Sequence, residues 1–283
     1  MLANKKIGFI GAGNMANAII RGLLNAGEIS SANIFVSDKD EAKLAEFAKS
    51  GVNVTVNNVE VERNCDIIVL AVKPQIMDSV LRELSGDNPQ SANADSSATS
   101  GVFNKIYISI AAGVTIEKLQ SALGANAKIV RTMPNTPLMV GSGITIVCPN
   151  GNLTEDEIVT AEKIFACSGE VIRLAEQFIN IGMALSASSP AYVYMLIDAM
   201  AESGVKQGIP REVALKLAAK AVEGSGEMVL QTGVEPLQLR DNVCSPNGTT
   251  IEAVKTLENN DFAGIIGKAI DACVKRGEEL DKG

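Results

Sequence analysis

The stretch from Lys6 to Ile20, KIGFIGAGNMANAII, decides the fold. An apolar run, Ile7 to Ile10, meets a tight Gly11-Ala12-Gly13 turn, and small residues then open a segment with helical spacing. Strand, glycine turn and helix in this order form the first half of a dinucleotide-binding βαβ unit. Gly11 allows the tight turn, Gly13 lets the backbone approach a pyrophosphate, and Ala16 permits close packing of helix on strand. The helix start adds unpaired N–H groups and the positive end of its dipole, which suit a bound phosphate.

Asp38 follows the second β-branched run, Ile34 to Ser37, near the spacing at which an acidic side chain meets the adenosine ribose. Two readings stay open. The carboxylate accepts from a ribose 2′-hydroxyl and repels a 2′-phosphate, or Asp38-Lys39-Asp40 is a solvated turn opening the next helix, with Lys39 free to meet a phosphate. The choice between NADH and NADPH is therefore not fixed by these residues.

Outward from this unit, short β-branched runs alternate with amphipathic segments: Asp66 to Val72, Tyr107 to Ala111, Lys128 to Thr132 and Ile144 to Cys148. Such alternation predicts an α/β fold with a doubly wound parallel sheet of Rossmann type. Asn14 to Ala26 and Glu41 to Ser50 read as crossover helices. Glu155 to Cys167 is a later helix opened by a Thr154/Glu157 capping box, and Glu170 to Leu174 is a last short strand. This NAD(P)-binding domain is expected to span residues 1–175.

From Glu176 onward strand patterns stop, and helical periodicity runs through Gln177 to Ser203, Pro210 to Gln231, Thr249 to Glu258 and Asp261 to Leu280. Residues 176–283 are read as a separate all-helical domain, rich in Ala, Gly, Met and Leu, with apolar surface for another chain to cover. Ser85 to Gly101 contains no Leu, Ile, Val, Phe, Lys or Arg and is expected to be a mobile surface loop.

Composition narrows the chemistry. The 283 residues are 46% hydrophobic, enough for substantial cores, and carry a formal charge of −8 from 25 basic and 33 acidic side chains. No basic tract tracks a nucleic acid, and no apolar run approaches the roughly 18 residues of a membrane span, so a cytoplasmic protein is expected. Five widely spaced cysteines with no C-x-x-C pair indicate neither a disulfide framework nor a zinc site. The chain has no histidine, which removes Ser-His-Asp triads and Cys-His dyads. Chemistry must come from a cofactor, carboxylates, lysines or hydroxyls.

Three further segments fall at strand ends, where open α/β sheets bind ligands: Ala71-Val72-Lys73-Pro74, Ala111-Ala112-Gly113 and Met133-Pro134-Asn135-Thr136-Pro137. Lys73 is either a ligand contact or a solvated strand-end lysine. In the last segment two prolines stiffen the loop and are expected to expose Asn135 and Thr136 as hydrogen-bonding groups. In the helical domain Asp241 to Thr250, DNVCSPNGTT, concentrates small and hydroxyl residues before a helix start, where a carboxylate would find free N–H groups and the Ser245, Thr249 and Thr250 hydroxyls. The alternative there is a Thr249/Glu252 capping box behind a Pro246-Asn247-Gly248 turn. A second cluster, Ser186 to Tyr192, interrupts the long helix at Pro190.

In order, KIGFIGAGNMANAI, AVKPQ, SIAAGVTIEKL, RTMPNTP, SASSPAYVYMLIDAMAESGVKQGIPR and LRDNVCSPNGTTIEAVKTLE span nearly the whole chain. This set resembles the Δ1-pyrroline-5-carboxylate reductases, which catalyse the last step of proline synthesis. The resemblance implies an N-terminal Rossmann domain, a helical dimerisation domain, a homodimer that often assembles further, and an active site where the domains meet. It places Gly11, Gly13, Asn14 and Met15 at the pyrophosphate of NADPH or NADH, Asn58 near the adenosine, Ala71, Val72, Lys73 and Pro74 beside the cofactor, and Ala112, Gly113, Asn135 and Thr136 toward the nicotinamide. The carboxylate of L-pyrroline-5-carboxylate would sit on Ser245, Asn247, Gly248, Thr249 and Thr250, with the Thr250 hydroxyl near the ring nitrogen as the catalytic contact. The product would be proline.

The chain departs from the family pattern at Ala187, Ser189 and Asn247, which replace glycines, and at Asp38, where members that favour NADPH often carry a small hydroxyl residue. The Ser85 to Gly101 stretch looks like an insertion. A protonated cyclic imine is already a good electrophile, so orientation and anion binding matter more than a strong general acid. Two rivals stand: a related hydroxyacid dehydrogenase or imine reductase, and a sensor that holds a dinucleotide without turnover. Hydroxyacid enzymes usually place a catalytic lysine on the first helix of the helical domain, and Gln177 to Ser203 contains none.

Overall fold

The computed structural model describes residues 2–85 and 105–282; all but the first residue of the expected Ser85 to Gly101 loop lies outside them. The chain divides into two compact units, Met1–Ala187 with Val274–Gly283, and Ser188–Cys273.

The first unit is built on eight strands: β1 Ile7–Ile10, β2 Ile34–Ser37, β3 Asn53–Thr55, β4 Ile67–Leu70, β5 Ile106–Ser109, β6 Lys128–Pro134, β7 Gly143–Pro149 and β8 Gly169–Arg173. They form one sheet in the order β3-β2-β1-β4-β5-β6-β7-β8. Its pairings are parallel except β6 with β7, which are antiparallel; only eight residues separate the end of β6 from the start of β7, too few for a parallel crossover, which takes a dozen or more. β3 escapes the sequence pattern because three residues without a buried side chain carry no alternation.

The connecting helices are α1 Asn14–Asn25, α2 Glu41–Ala48, α3 Asn58–Asn64, α4 Pro74–Leu84, α5 Ile116–Leu123 and α6 Glu155–Ala166. Successive strand side chains alternate between two cores. Ile7, Phe9, Ile67 and Val69 join Ala16, Ile19, Ile20 and Leu23 of α1 in one, while Ile10, Ile68, Leu70 and Tyr107 join Met77 of α4 and Leu119 of α5 in the other. Both faces are covered, as a sheet of mostly parallel strands requires. The Thr154/Glu157 capping box forms in full at the start of α6. α7 Ile179–Ser186 completes the unit together with the last residues of the chain.

The second unit holds α8 Ser189–Lys206, α9 Arg211–Thr232, α10 Pro236–Val243, α11 Thr249–Asn259 and the first part of α12 Phe262–Asp281. The helical segment expected over Gln177 to Ser203 is two helices, broken at Ala187 and Ser188, with Pro190 in the first turn of α8. Proline lacks the amide hydrogen a continuous ladder needs there. α10 leaves no mark on the sequence pattern, since none of its side chains is buried and its residues give no apolar stripe. Among the described residues, those buried in this unit are three alanines, Ala201, Ala214 and Ala218. Met195, Leu217, Leu230, Leu237 and Ile265 are exposed. That is too little core, and too much apolar surface, for a unit standing alone.

Candidate active site

The parallel register aligns the strand ends. Ile10 pairs with Ser37 and with Leu70, and Leu70 pairs with Ser109. The residues after these strands therefore emerge on one rim: Gly11, Asp38, Ala71 to Pro74, and Ala112 with Gly113. The strand order reverses between β1 and β4, the position at which open α/β sheets bind ligands.

Gly11 donates to the Ser37 carbonyl at 2.7 Å and has φ of 107°, where a side chain is strained; a Cβ there would meet the Ala71 carbonyl oxygen at 2.7 Å. Gly13 precedes α1 with an extended backbone and no side-chain cap, and a Cβ there would meet nothing within 4 Å. The first-turn N–H groups of α1, from Asn14 and Met15, thus begin beside open space, which fits a pyrophosphate. Ala16 is fully buried against the sheet, as the motif requires.

The Asp38 side chain is tied into the glycine turn itself. Its Oδ2 accepts the Ala12 N–H at 2.9 Å and its Oδ1 accepts the Asp40 N–H at 2.9 Å, with the Lys43 ammonium 3.8 Å away. The side chain is 18% exposed, so a fully solvated turn is not what forms; Asp40, not Asp38, caps α2 through the Ala42 N–H. Partial burial disfavours the charge, but the N–H bonds from Ala12, Asp40 and Lys39 and the Lys43 charge outweigh it and hold the carboxyl below the usual aspartate value. Asp38 therefore braces the glycine turn.

Asn58 is buried at the start of α3, where its Oδ1 accepts the Ser37 hydroxyl at 2.8 Å and its Nδ2 donates to Glu83 at 2.9 Å. Glu83 in turn lies 3.8 Å from the Lys39 ammonium, a link that no local pattern announced. Lys73 is exposed and immediately precedes α4, with Pro74 in the first turn. Thr136 is exposed, but Asn135 is only 7% exposed, which corrects the expectation for that residue. Strand β6 runs on through Pro134, so Asn135 falls inside the β6–β7 connection, where its Oδ1 accepts the Ile144 N–H at 2.9 Å and its Nδ2 donates to the Ser186 carbonyl at 3.1 Å.

In the second unit Ser245 to Gly248 is a turn closed by the Gly248 N–H on the Ser245 carbonyl at 3.0 Å. Asn247 has φ of 58°, as a third turn residue after Pro246 demands in a type II turn. Glycine meets that conformation without strain, and asparagine tolerates it better than most side chains do. The anticipated Thr249/Glu252 capping box does not form: Gly248 caps α11 without a side-chain bond, and Glu252 holds Lys255 at 2.8 Å. The start of α11 is thus left without a side-chain cap, beside the hydroxyls of Ser245, Thr249 and Thr250.

Cysteine chemistry is not favoured at the sheet. Burial pushes the Cys65 thiol up to about 12 and the Cys148 thiol up to about 11. All five cysteines are free.

A glycine turn at a switch point, an open helix start behind it and a separate helical unit define a dinucleotide-dependent oxidoreductase. Residues 176–280 match the family model described as pyrroline-5-carboxylate reductase dimerisation, and residues 6–113 match the one described as NADP oxidoreductase, coenzyme F420-dependent. Over 279 residues the chain is 44% identical to the pyrroline-5-carboxylate reductase of Escherichia coli, covering 98% of this chain and 99% of the relative. It is similar to the solved pyrroline-5-carboxylate reductase of Coxiella burnetii, at 36% identity and TM-score 0.86 over 99% of both chains. The Plasmodium falciparum pyrroline carboxylate reductase, solved with NADP bound, is 34% identical with TM-score 0.85 over 98% of each. The chain belongs to the pyrroline-5-carboxylate reductase family.

Proposed function

We propose that the chain performs the reaction of its family, the NAD(P)H-dependent reduction of L-1-pyrroline-5-carboxylate to L-proline that ends proline biosynthesis, and that it works as a cytoplasmic homodimer or larger assembly. The observation that carries this is the identity of 44% to a named reductase over 98% of the chain. The residues present fit the cofactor: the open face of Gly13 and the uncapped start of α1 suit its pyrophosphate.

Bound NADH or NADPH supplies the hydride. The chain's own part is to bind and orient. Gly11, Gly13, Asn14 and Met15 hold the phosphates, Asp38 fixes the turn that presents them, Asn58 backs the adenosine side, and Ala71 to Pro74, Ala112, Gly113, Asn135 and Thr136 flank the rest. Because the Asn135 amide already bonds Ile144 and Ser186, its part is to shape the wall. The Ser245 to Thr250 turn and the start of α11 bind the substrate carboxylate through hydroxyls and N–H groups, and Thr250 meets the ring nitrogen. With the imine protonated on nitrogen, the chain would need only to hold its C=N carbon toward the cofactor and would supply no proton to the ring. No histidine is needed.

The test is to run the reaction with cofactor deuterated at both C4 positions and analyse the product by mass spectrometry. Proline carrying one deuterium on the ring carbon bonded to nitrogen and remote from the carboxylate is expected. Unlabelled proline, or none, would contradict the assignment.

A further inference from the structure

Arg131 lies in the middle of β6, 1% exposed, and no step above uses it. Its Nη1 donates to Glu176 Oε1 at 2.9 Å and its Nη2 to Asp281 Oδ1 at 2.5 Å, while its Nε has no partner among the described residues. Both carboxylates are themselves tied to something else. Glu176 Oε1 also accepts the N–H of Ile116, the first residue of α5, at 2.8 Å, and Asp281 Oδ2 accepts from Asn180 Nδ2 at 2.8 Å. Next to Asp281, Leu280 presses on Gly113: a Cβ on that glycine would stand 2.8 Å from the Leu280 Cβ and 3.1 Å from its carbonyl oxygen, and Gly113 holds φ of 72°.

The turn from Ala112 to Thr115 is thus gripped at both ends, by Glu176 on the following helix start and by Leu280 on Gly113, and one guanidinium holds both grips. For stability alone, apolar side chains of similar volume would often serve as well as a buried ion triad. Directional bonds instead fix where the turn lies. We propose that Arg131 is a positioning residue for hydride transfer, which through Glu176 and Asp281 sets the Ala112–Gly113 turn against the nicotinamide end of the cofactor. This rests on the reading of that turn as nicotinamide-facing.

Asp281→Asn and Asn180→Ala test it without touching the buried arginine. Both should fold, as monitored by circular dichroism. Asp281→Asn is expected to weaken binding of NADH or NADPH about fivefold or more and to lower kcat, while leaving binding of ADP-ribose, which lacks the nicotinamide, unchanged. Asn180→Ala is expected to give a smaller change of the same kind. Unchanged binding and kcat in both variants, or equal weakening of ADP-ribose and full cofactor, would overturn the proposal. Gly113→Ala, which strains the turn directly, separates the two ideas. If it lowers kcat while Asp281→Asn does not, the clamp is wrong. If it does not, the turn is not a nicotinamide seat, and the proposal falls with that reading.

Discussion

Thr250 stands in the first turn of α11, a helix start with no side-chain cap. If its hydroxyl meets the substrate ring, Thr250→Ala removes one polar contact, and kcat/KM is expected to fall about tenfold or more in initial-rate kinetics. An unaltered value would remove Thr250 from the site. Asp38 braces the glycine turn, and one substitution tests both that role and a role in choosing the cofactor. Asp38→Ser deletes the acceptor of the Ala12 N–H, so efficiency should fall with either cofactor. If the Asp38 carboxylate also faces the ribose, the substitution deletes a charge that would repel a 2′-phosphate, and the NADPH-to-NADH ratio of kcat/KM should rise about fivefold or more. A lower efficiency with an unchanged ratio would mean that Asp38 only braces the turn. The glycine turn and the Thr250 loop were legible in sequence because their backbone demands restrict residue type locally. The bracing role of Asp38, the Asn58–Glu83 bond and the Arg131 clamp were not, since each joins residues far apart in the chain.

Among the elements, α6 shows how a local pattern turns into stability. Its capping box pairs Thr154 Oγ1 with the Glu157 N–H and Glu157 Oε2 with the Thr154 N–H, and Lys128 of β6 reaches Glu157 Oε1 at 2.6 Å. Thr154→Ala is expected to cost about 1 kcal/mol, a fall of about 2 to 4 °C in Tm for a chain of this size. Partial burial works against the Glu157 charge, but the Lys128 ammonium and the Thr154 bonds prevail and lower its pKa. A carboxyl with a depressed folded pKa contributes stability above its unfolded value, near 4.3, and loses that contribution as pH falls through the folded one. The Tm deficit of Glu157→Gln should therefore be largest near neutral pH and vanish in acid; a constant deficit would contradict the ion pair. Period and capping made these helices readable, whereas β3 and α10, short and without buried stripes, gave no such signal.

For the molecule as a whole, the second unit states its need for a partner in its side chains. Met195 is 73% and Leu230 75% exposed, on α8 and α9, and the matched model for residues 176–280 is one of dimerisation. Light scattering is expected to show at least a dimer at micromolar concentration, and Met195→Glu with Leu230→Glu should shift it toward monomer with loss of activity. A monomeric wild type with full activity would contradict this. Absorbance at 340 nm, followed with the purified chain and L-1-pyrroline-5-carboxylate and with NADH and NADPH in parallel, decides whether this chain is the reductase. Rapid oxidation that depends on the substrate is the predicted result. No oxidation with either cofactor, from protein shown to bind the dinucleotide, would contradict the account and leave a dinucleotide-holding protein without this turnover.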